Sequence, residues 1–160
     1  MKARSQSSSI PTKHSDVGAM KIRRARLPDA ARLAELSGQL GYPATRSDMV
    51  RRMKQMRPAA QHAIFVAESG KTVMGWLHVS VTPLLEVVLR AEINGLVVDE
   101  SRRSMGAGAK LLQAAEHWAK TKGCRGMSVR SNVIRERAHG FYLRNGYEHY
   151  KTQKAFRKIL

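Results

Sequence analysis

The most restrictive feature of this sequence is a pair of glycines that follows a strand-like run and opens a helix. Residues 91–99, Ala-Glu-Ile-Asn-Gly-Leu-Val-Val-Asp, are rich in apolar side chains, and a short basic loop comes next. Gly106 and Gly108 then begin an amphipathic stretch that continues to Thr121. Glycine lacks a Cβ, so an anion can approach the main chain, and the first N–H groups of a helix point toward it. This order of elements predicts an anion-binding loop.

Spacing excludes two common nucleotide-binding loops. A dinucleotide fingerprint, G-x-G-x-x-G, requires a third glycine where this chain has Leu111. A phosphate-binding loop, G-x-x-x-x-G-K-[ST], separates its glycines by four residues and follows Lys with Ser or Thr. Here one residue separates the glycines, and Lys110 precedes a leucine. The loop matches a third pattern, R/Q-x-x-G-x-G/A, through Arg103, Gly106 and Gly108.

Hydrophobic periodicity and turn signals predict the order β-α-α-β-β-β-α-β-α-β-β. Thr45 and Asp48 are spaced as a capping box, Gly41 and Gly123 stand where helices end, and Ser-Gly-Lys at 69–71 indicates a hairpin. The order indicates an α/β (α+β) domain with antiparallel strands and a late β-α-β crossover. Strands are predicted over 20–26, 62–68, 72–82, 87–98, 125–130, 147–152 and 154–159, and helices over 27–40, 45–57, 106–121 and 135–144.

The charge of the chain is strongly unbalanced. Lysine and arginine outnumber aspartate and glutamate by 29 to 12, which gives a net charge of +17. The first nineteen residues carry three cations and one carboxylate, so residues 20–160 keep +15. Such a surface favours nucleic acid or another anionic ligand, and the alternative is a merely solvated cationic face. The sequence contains no helix-turn-helix, RNP-type aromatic motif or zinc finger, which disfavours nucleic acid as the main ligand.

Length and composition fit one folded domain, because 160 residues with 42% hydrophobic side chains can enclose a core. Residues 1–19 are polar and lack apolar periodicity, so we predict a mobile leader followed by a single domain over 20–160. Cys124 alone allows no internal disulfide, and no apolar run approaches the roughly 20 residues of a membrane helix. These features predict a cytoplasmic protein without a membrane segment. The six histidines lack metal-ligand spacing, so no metal site is predicted.

In this context the sequence resembles the GNAT family of N-acetyltransferases. The resemblance covers residues 20–160 and is clearest from Ala91 onward. It is carried by the 91–99 strand, the Arg103-x-x-Gly106-x-Gly108 loop, the helix after it, Val-Arg-Ser-Asn at 129–132 and Phe141-Tyr142-x-x-x-Gly146-Tyr147. The resemblance implies the acyl-CoA N-acyltransferase fold. That fold has a mixed, mostly antiparallel sheet of six to seven strands, two of them parallel and splayed in a V, flanked by about four helices.

The resemblance also implies that acetyl-CoA is the acetyl donor and that it lies in the V between the 87–98 and 125–130 strands. Main-chain groups of the first strand would pair with the pantetheine arm, and amides of the glycine loop would hold the pyrophosphate. Asn132 would contact the cofactor or cap a helix, and both roles remain open. The implied cofactor-binding set is Leu96, Val97, Val98, Arg103, Ser104, Met105, Gly106, Ala107, Gly108, Ala109 and Asn132.

Two side chains are candidates for the chemistry of acetyl transfer. Tyr142 resembles the tyrosine whose hydroxyl protonates the departing CoA thiolate, and its alternative role is core packing. Glu92 matches a carboxylate that serves as general base in histone-type members of the family. A water chain is the alternative base, and an ion pair with Arg90 is the alternative role for this glutamate.

The acceptor is expected to be a primary amine, with a small molecule as the first hypothesis and a peptide or protein amine as the second. A non-catalytic acyl-CoA-binding protein of the same fold is the third. A polycationic aminoglycoside is disfavoured by the charge of the domain. A homodimer is compatible with the resemblance. Residues expected at the acceptor wall are Tyr42, Arg46, Trp76, His78 and Glu86.

Overall fold

The computed structural model describes residues 19–56 and 60–160. It contains one mixed sheet whose five strands lie side by side in chain order. The first four strands are antiparallel to their neighbours, and the last pair is parallel. The strands are β1 (Lys21–Arg24), β2 (His62–Ser69), β3 (Thr72–Val81), β4 (Ala91–Val98) and β5 (Met127–Val129), and the helices are α1 (Ala30–Gln39), α2 (Arg46–Gln55), α3 (Ala107–Thr121) and α4 (Glu136–Arg144).

Local signals in the sequence fix several of these boundaries. The Thr45 side chain accepts from the Asp48 amide while Asp48 bonds back to the Thr45 amide, which confirms the capping box of α2. Gly41 and Gly123 follow α1 and α3 with φ of +92° and +75°, the left-handed conformation that ends helices at little cost for glycine. Gly70 forms the tight turn between β2 and β3.

Helices cover both faces of the sheet. On one face α3 packs through Leu111 and Leu112 onto Leu77 and Val79 of β3. On the other face α1 packs onto the sheet, and the residues buried there are Leu33, Leu36, Met49, Val66, Val73 and Val97. Burying one such aliphatic side chain contributes about 1.5–3 kcal/mol. The sheet is therefore held rigidly along β2 and β3, while its β4–β5 end is the open part of the molecule.

The prediction of six to seven strands is wrong, since the described chain has five. The two strands predicted over 147–152 and 154–159 are absent, and every residue from 148 to 160 is exposed without regular structure. The strand predicted over 87–98 begins only at Ala91. Alternating apolar residues suit a strand, but a strand also needs a neighbour for its main-chain hydrogen bonds, and local pattern does not reveal one.

The predicted mobile leader falls almost entirely outside the described residues. Pro58, which directly follows the helix predicted over 45–57, also lies outside them. Within residues 19–56 and 60–160, the helices are too short and too polar for any of them to cross a bilayer.

Candidate functional site

The open part of the sheet is the point where β4 and β5 separate. Their parallel pairing ends at Ile93 and Val129, and β4 then continues for five residues to Val98 without β5 beside it. A register shift against β3 next to His78 leaves Asn94 as an extra residue at this point. Such a bulge bends a strand and increases its twist. The result is one edge of β4 with main-chain groups free to pair with a bound molecule.

The ladder between β3 and β4 decides which of these main-chain groups face the opening. The Asp99 amide donates to the Met74 carbonyl at 2.7 Å. In an antiparallel ladder such bonding alternates by residue, so Val97 bonds toward β3 while Leu96 and Val98 present N–H and C=O toward the opening. The Arg103 Nε donates to the Val98 carbonyl at 3.4 Å, which agrees with that orientation.

Directly after β4, Asp99 fixes the chain before the glycine loop. Its carboxylate accepts from the Ser101 amide at 2.9 Å and hydroxyl at 2.7 Å, and it forms an ion pair with Arg32 of α1. Arg32 also donates to the Val73 carbonyl at 3.0 Å. These bonds, those of Ser101 first, lower the pKa of Asp99 to about 2. The loop is thus anchored at its start and exposed from residue 101 to 106.

The N-terminus of α3 has the features of an anion site. Gly106 occupies the N-cap with φ +82°, and no side chain caps the helix. A Cβ at Gly106 would meet nothing within 4 Å, so the space beside it is open. Ser104 also has positive φ, +65°, which turns the loop sharply ahead of the helix. The first amides of a 15-residue helix therefore point into open space at the positive end of its dipole.

Gly108 has different surroundings from Gly106. A Cβ at Gly108 would lie 3.1 Å from Cε2 and 3.3 Å from Cζ of Phe141, which is tighter than ordinary van der Waals contact. The sequence predicted that this missing Cβ admits an anion. In the structure this missing Cβ leaves room for the ring of Phe141, which belongs to α4, and the role of Gly108 in anion binding stays a prediction.

Tyr142 lies beside Phe141 in the same aromatic cluster. Its ring is 5.3 Å from that of Phe141 and 5.6 Å from that of Tyr147, and, like Leu96 and Val98, it is partly buried against the core between α3 and the sheet. Burial raises the pKa of the Tyr142 hydroxyl to about 12, while the positive charge of Arg135 acts in the opposite direction. Within residues 19–56 and 60–160 this hydroxyl has no hydrogen-bond partner. It is therefore a protonated donor at neutral pH.

Glu92 lies on β4 where the strands begin to separate. Its Oε1 is 2.6 Å from Nε of Arg130, which follows β5 on the other side of the opening. The Glu92 side chain is 33% exposed and that of Arg130 is 81% exposed. The carboxylate thus has an ion-pair partner and access to solvent, but the partner is Arg130 and not the neighbouring Arg90. No local pattern in the sequence indicates this pairing, since the partner lies 38 positions away, just after another strand.

A polar strip on β2, β3 and β4 continues from Glu92 on the face that α1 covers elsewhere. His62 Nδ1 and His78 Nε2 are 3.2 Å apart, and Asn94 donates to the Ser80 hydroxyl at 2.8 Å. Burial lowers the pKa of His78 to about 4, with a smaller contribution from His62, so His78 is neutral at pH 7. The sequence predicted His78 at the acceptor wall but missed His62, because the pairing of β2 with β3 brings the two rings together.

The other predicted wall residues differ in exposure. The ring of Trp76 lies under Gly95, where a Cβ would be 2.8 Å from the indole, and its Nε1 is buried without a partner in the described chain. Tyr42 is exposed between α1 and α2, and Arg46 begins α2. Glu86 is exposed in the loop before β4. Trp76 alone of these is packed into the structure.

Asn132 lies between β5 and α4. Its Oδ1 accepts from the Ile134 amide at 3.2 Å, and its carbonyl accepts from the Arg135 amide at 3.0 Å and interacts with His139 at 2.9 Å. These contacts form a turn before α4, whose N-cap is Arg135 and which has no side-chain cap, so both roles expected for Asn132, cofactor contact and helix capping, stay predictions. The Asn132 side-chain NH₂ remains available for a ligand.

Cys124 packs against the core, and burial raises the pKa of its thiol. In the part of the chain that the structure describes, histidine, cysteine and carboxylate side chains form no cluster of three or more suited to a metal ion.

Comparison with known proteins identifies relatives of this chain. A model of the acetyltransferase (GNAT) family matches residues 30–147. The chain is 31% identical over 110 residues to an aminoglycoside N(6')-acetyltransferase type 1 from Klebsiella aerogenes, covering 67% of this chain and 71% of the relative. It is 39% identical over 66 residues to an aminoalkylphosphonate N-acetyltransferase from Salmonella typhimurium, covering 40% and 43%. The solved structure of AAC(6')-Iy with a CoA bisubstrate analogue superposes with a TM-score of 0.79 at 20% identity, over 89% of this chain and 100% of that one.

Proposed function

Because the chain belongs to the GNAT family of acetyltransferases, we propose that it transfers an acetyl group from acetyl-CoA directly to a primary amine of a small molecule. The acetyl donor and the amine are bound together, and no acetyl-enzyme forms. The relatives named above as N-acetyltransferases act on amines, which supports the reaction type. The raised pKa of Cys124, the single cysteine of the chain, supports transfer without a thiol nucleophile.

One observation carries the proposal: an unpaired strand edge leads, through an anchored loop, to an uncapped helix N-terminus. Leu96 and Val98 offer main-chain groups suited to the amides of a pantetheine arm. The amides at the start of α3 suit a pyrophosphate, because they point outward at the positive end of the helix dipole. Loop residues 103–106 are exposed and Gly106 leaves the approach open, so the predicted anion site fits the group.

In the proposed complex, Arg103 changes its interaction partner when acetyl-CoA binds. Its guanidinium lies on the Val98 carbonyl at 3.4 Å, a group that the pantetheine arm would need. In our proposal Arg103 moves from that carbonyl to the phosphates when the donor binds. Val97, whose main chain bonds toward β3, contributes by fixing the strand.

Tyr142 and Glu92 divide the proton transfers in the proposed reaction. Acetyl transfer needs a neutral amine, a donor for the negative charge that develops on the carbonyl oxygen, and a proton for the departing sulfur. Tyr142 supplies the last of these, because its hydroxyl is protonated and free of other partners. Glu92 removes the proton of the amine, directly or through water, and its exposed carboxylate passes that proton to solvent.

The charges near the opening indicate which amines are suitable. Glu92 is neutralised by Arg130, and the paired histidines beside it add no negative charge at neutral pH. A polycationic acceptor therefore gains little electrostatic attraction at the opening, although one relative named above acetylates aminoglycosides. We propose an acceptor that carries one amine and a neutral or anionic remainder, the charge class also found in an aminoalkylphosphonate.

The test measures CoA thiol release from acetyl-CoA with a panel of amines: neutral amino sugars, aminoalkylphosphonates, aminoglycosides and lysine peptides. We expect turnover with a small neutral or anionic amine and a loss of about 10²-fold in Tyr142→Phe, typical of a general acid. If acetyl-CoA binds but no amine supports turnover, the chain is a binding protein. Glu92→Gln is compared across pH, and a pH–rate profile identical to that of the wild type excludes Glu92 as the base.

A further inference from the structure

Arg135 connects two elements that are far apart in the sequence and meet at the opening. Its Nη2 donates to the Leu40 carbonyl at 2.8 Å, across 95 positions of the chain. Leu40 is the C-cap of α1, and Arg135 is the N-cap of α4. The bond therefore links the C-terminal end of α1 to α4, the helix that carries Tyr142.

The location of this arginine is unfavourable for α4 itself. A cation at a helix N-terminus opposes the helix dipole, and Arg135 provides no side-chain cap there. The same cation is favoured at the C-terminus of α1, where carbonyl groups lack intrahelical partners. Arg135 thus stabilises a contact between two helices, at the expense of the helix to which it belongs.

Tyr142 lies seven positions after Arg135, two turns further along α4 and on the same side of the helix. The charged or titratable groups around the Tyr142 hydroxyl are Arg135 on its own helix and Tyr147, whose hydroxyl bonds to Glu116 of α3 at 3.4 Å. Within residues 19–56 and 60–160, Arg135 is the cation whose charge favours the ionised form of Tyr142, against the larger effect of burial.

We propose that Arg135 is a positioning residue that straps the start of α4 to the end of α1 and stabilises the negative charge left on Tyr142 in acetyl transfer. In that step the amine nitrogen bonds to the acetyl carbon and the carbon–sulfur bond breaks. The sulfur leaves with the electron pair and takes the phenol proton of Tyr142. The phenolate then regains a proton from the nitrogen of the product or from solvent. This inference rests on the proposed function.

The test is a double-mutant cycle in the full chain. Arg135→Gln removes the charge, Arg135→Lys keeps it, and Arg137→Gln is the matched control, since Arg137 is exposed in the first turn of the same helix. Each is measured alone and together with Tyr142→Phe. We expect Arg135→Gln to lower kcat about tenfold in the wild-type background. In the Tyr142→Phe background the same substitution should lower kcat less than about twofold, because the effects of residues that act as a unit are not additive. Arg135→Lys should recover most of kcat, and KM for acetyl-CoA should stay constant.

Equal losses of kcat in both Tyr142 backgrounds would overturn the inference and make Arg135 a structural residue only. Thermal unfolding and acetyl-CoA binding by calorimetry identify a variant that has simply misfolded. A second measurement does not depend on turnover. The phenolate absorbance of each protein at pH 11 is compared with that of its Tyr142→Phe counterpart, and the difference gives the ionisation of Tyr142. Circular dichroism verifies that the proteins are folded at that pH. We expect a smaller Tyr142 signal in Arg135→Gln, and an unchanged signal contradicts the inference. If the wild type acetylates no amine, the proposed function fails separately, while this readout still decides the role of the charge.

Discussion

Substitution of Tyr142 by phenylalanine gives the most informative prediction about the chemistry, because the structure fixes the protonation state of this residue. Burial raises the pKa of its hydroxyl from 10 to about 12. Two pKa units correspond to about 3 kcal/mol against the phenolate. At pH 8 only about one molecule in 10⁴ is ionised, so Tyr142 stays available as a proton donor throughout any ordinary assay.

Two measurements follow from that protonation state. In the wild type, kcat should show no alkaline limb from Tyr142 below about pH 11, and Tyr142→Phe should lower kcat about 10²-fold at every pH below it. The unfolded chain ionises near pH 10 and the folded chain near pH 12. Stability from the buried neutral phenol is therefore fully present below pH 10 and lost as the pH rises toward 12.

Steady-state kinetics from pH 6 to pH 10 and alkaline unfolding, both with Tyr142→Phe as the matched variant, test these expectations. The substitution should remove up to about 3 kcal/mol of the alkaline loss in the free energy of unfolding. An alkaline limb near pH 9 that disappears in Tyr142→Phe would refute the reasoning, because it would show that the hydroxyl ionises as readily as an exposed phenol.

Four further perturbations have clear expected outcomes. Gly106→Ala places a side chain at φ +82°, so it should weaken acetyl-CoA binding and cost about 1–2 kcal/mol in stability. Gly108→Ala should instead displace the ring of Phe141 and lower kcat. Calorimetry measures the binding and steady-state kinetics the kcat, and equal effects of both variants on binding contradict these different expectations for the two glycines. The pKa of Asp99 is lower in the folded chain than the ordinary value of 3.8, so its carboxylate contributes about 1 kcal/mol of stability above pH 4, which is lost as the pH falls toward 2. Asp99→Asn should remove this contribution. Identical acid unfolding curves of the variant and the wild type exclude a stabilising role for the Asp99 carboxylate. Deletion of residues 148–160 should change the free energy of unfolding by less than about 0.5 kcal/mol, since all of them are exposed, and a loss above about 1 kcal/mol contradicts this expectation.

The sequence predicts most of the fold because its signals are local. Thr45 and Asp48 form the capping box that their spacing indicates, and Gly41 and Gly123 end their helices in the expected conformation. The glycine loop was also placed correctly between β4 and α3. Each of these features depends on residues within four positions of one another, where steric and hydrogen-bonding rules apply directly.

The remainder depends on contacts between distant elements. A Cβ at position 108 would crowd the ring of Phe141, 33 positions later, and Glu92 forms its ion pair with Arg130, which follows another strand. The terminal strands were predicted from alternation alone and are absent, because residues 147–160 have no neighbouring strand in the described chain. Periodicity reports which face of an element is apolar, but it does not report which element lies opposite.

We propose direct acetyl transfer from acetyl-CoA to a small amine bound in the opening between β4 and β5, and initial velocities measured over a grid of acetyl-CoA and amine concentrations test this reaction. Double-reciprocal plots should give lines that intersect, because both substrates must be bound before the acetyl group moves. Parallel lines, together with a protein that gains one acetyl group in the absence of amine, would contradict direct transfer. Absence of turnover at every concentration, with acetyl-CoA bound, would contradict the enzymatic function itself.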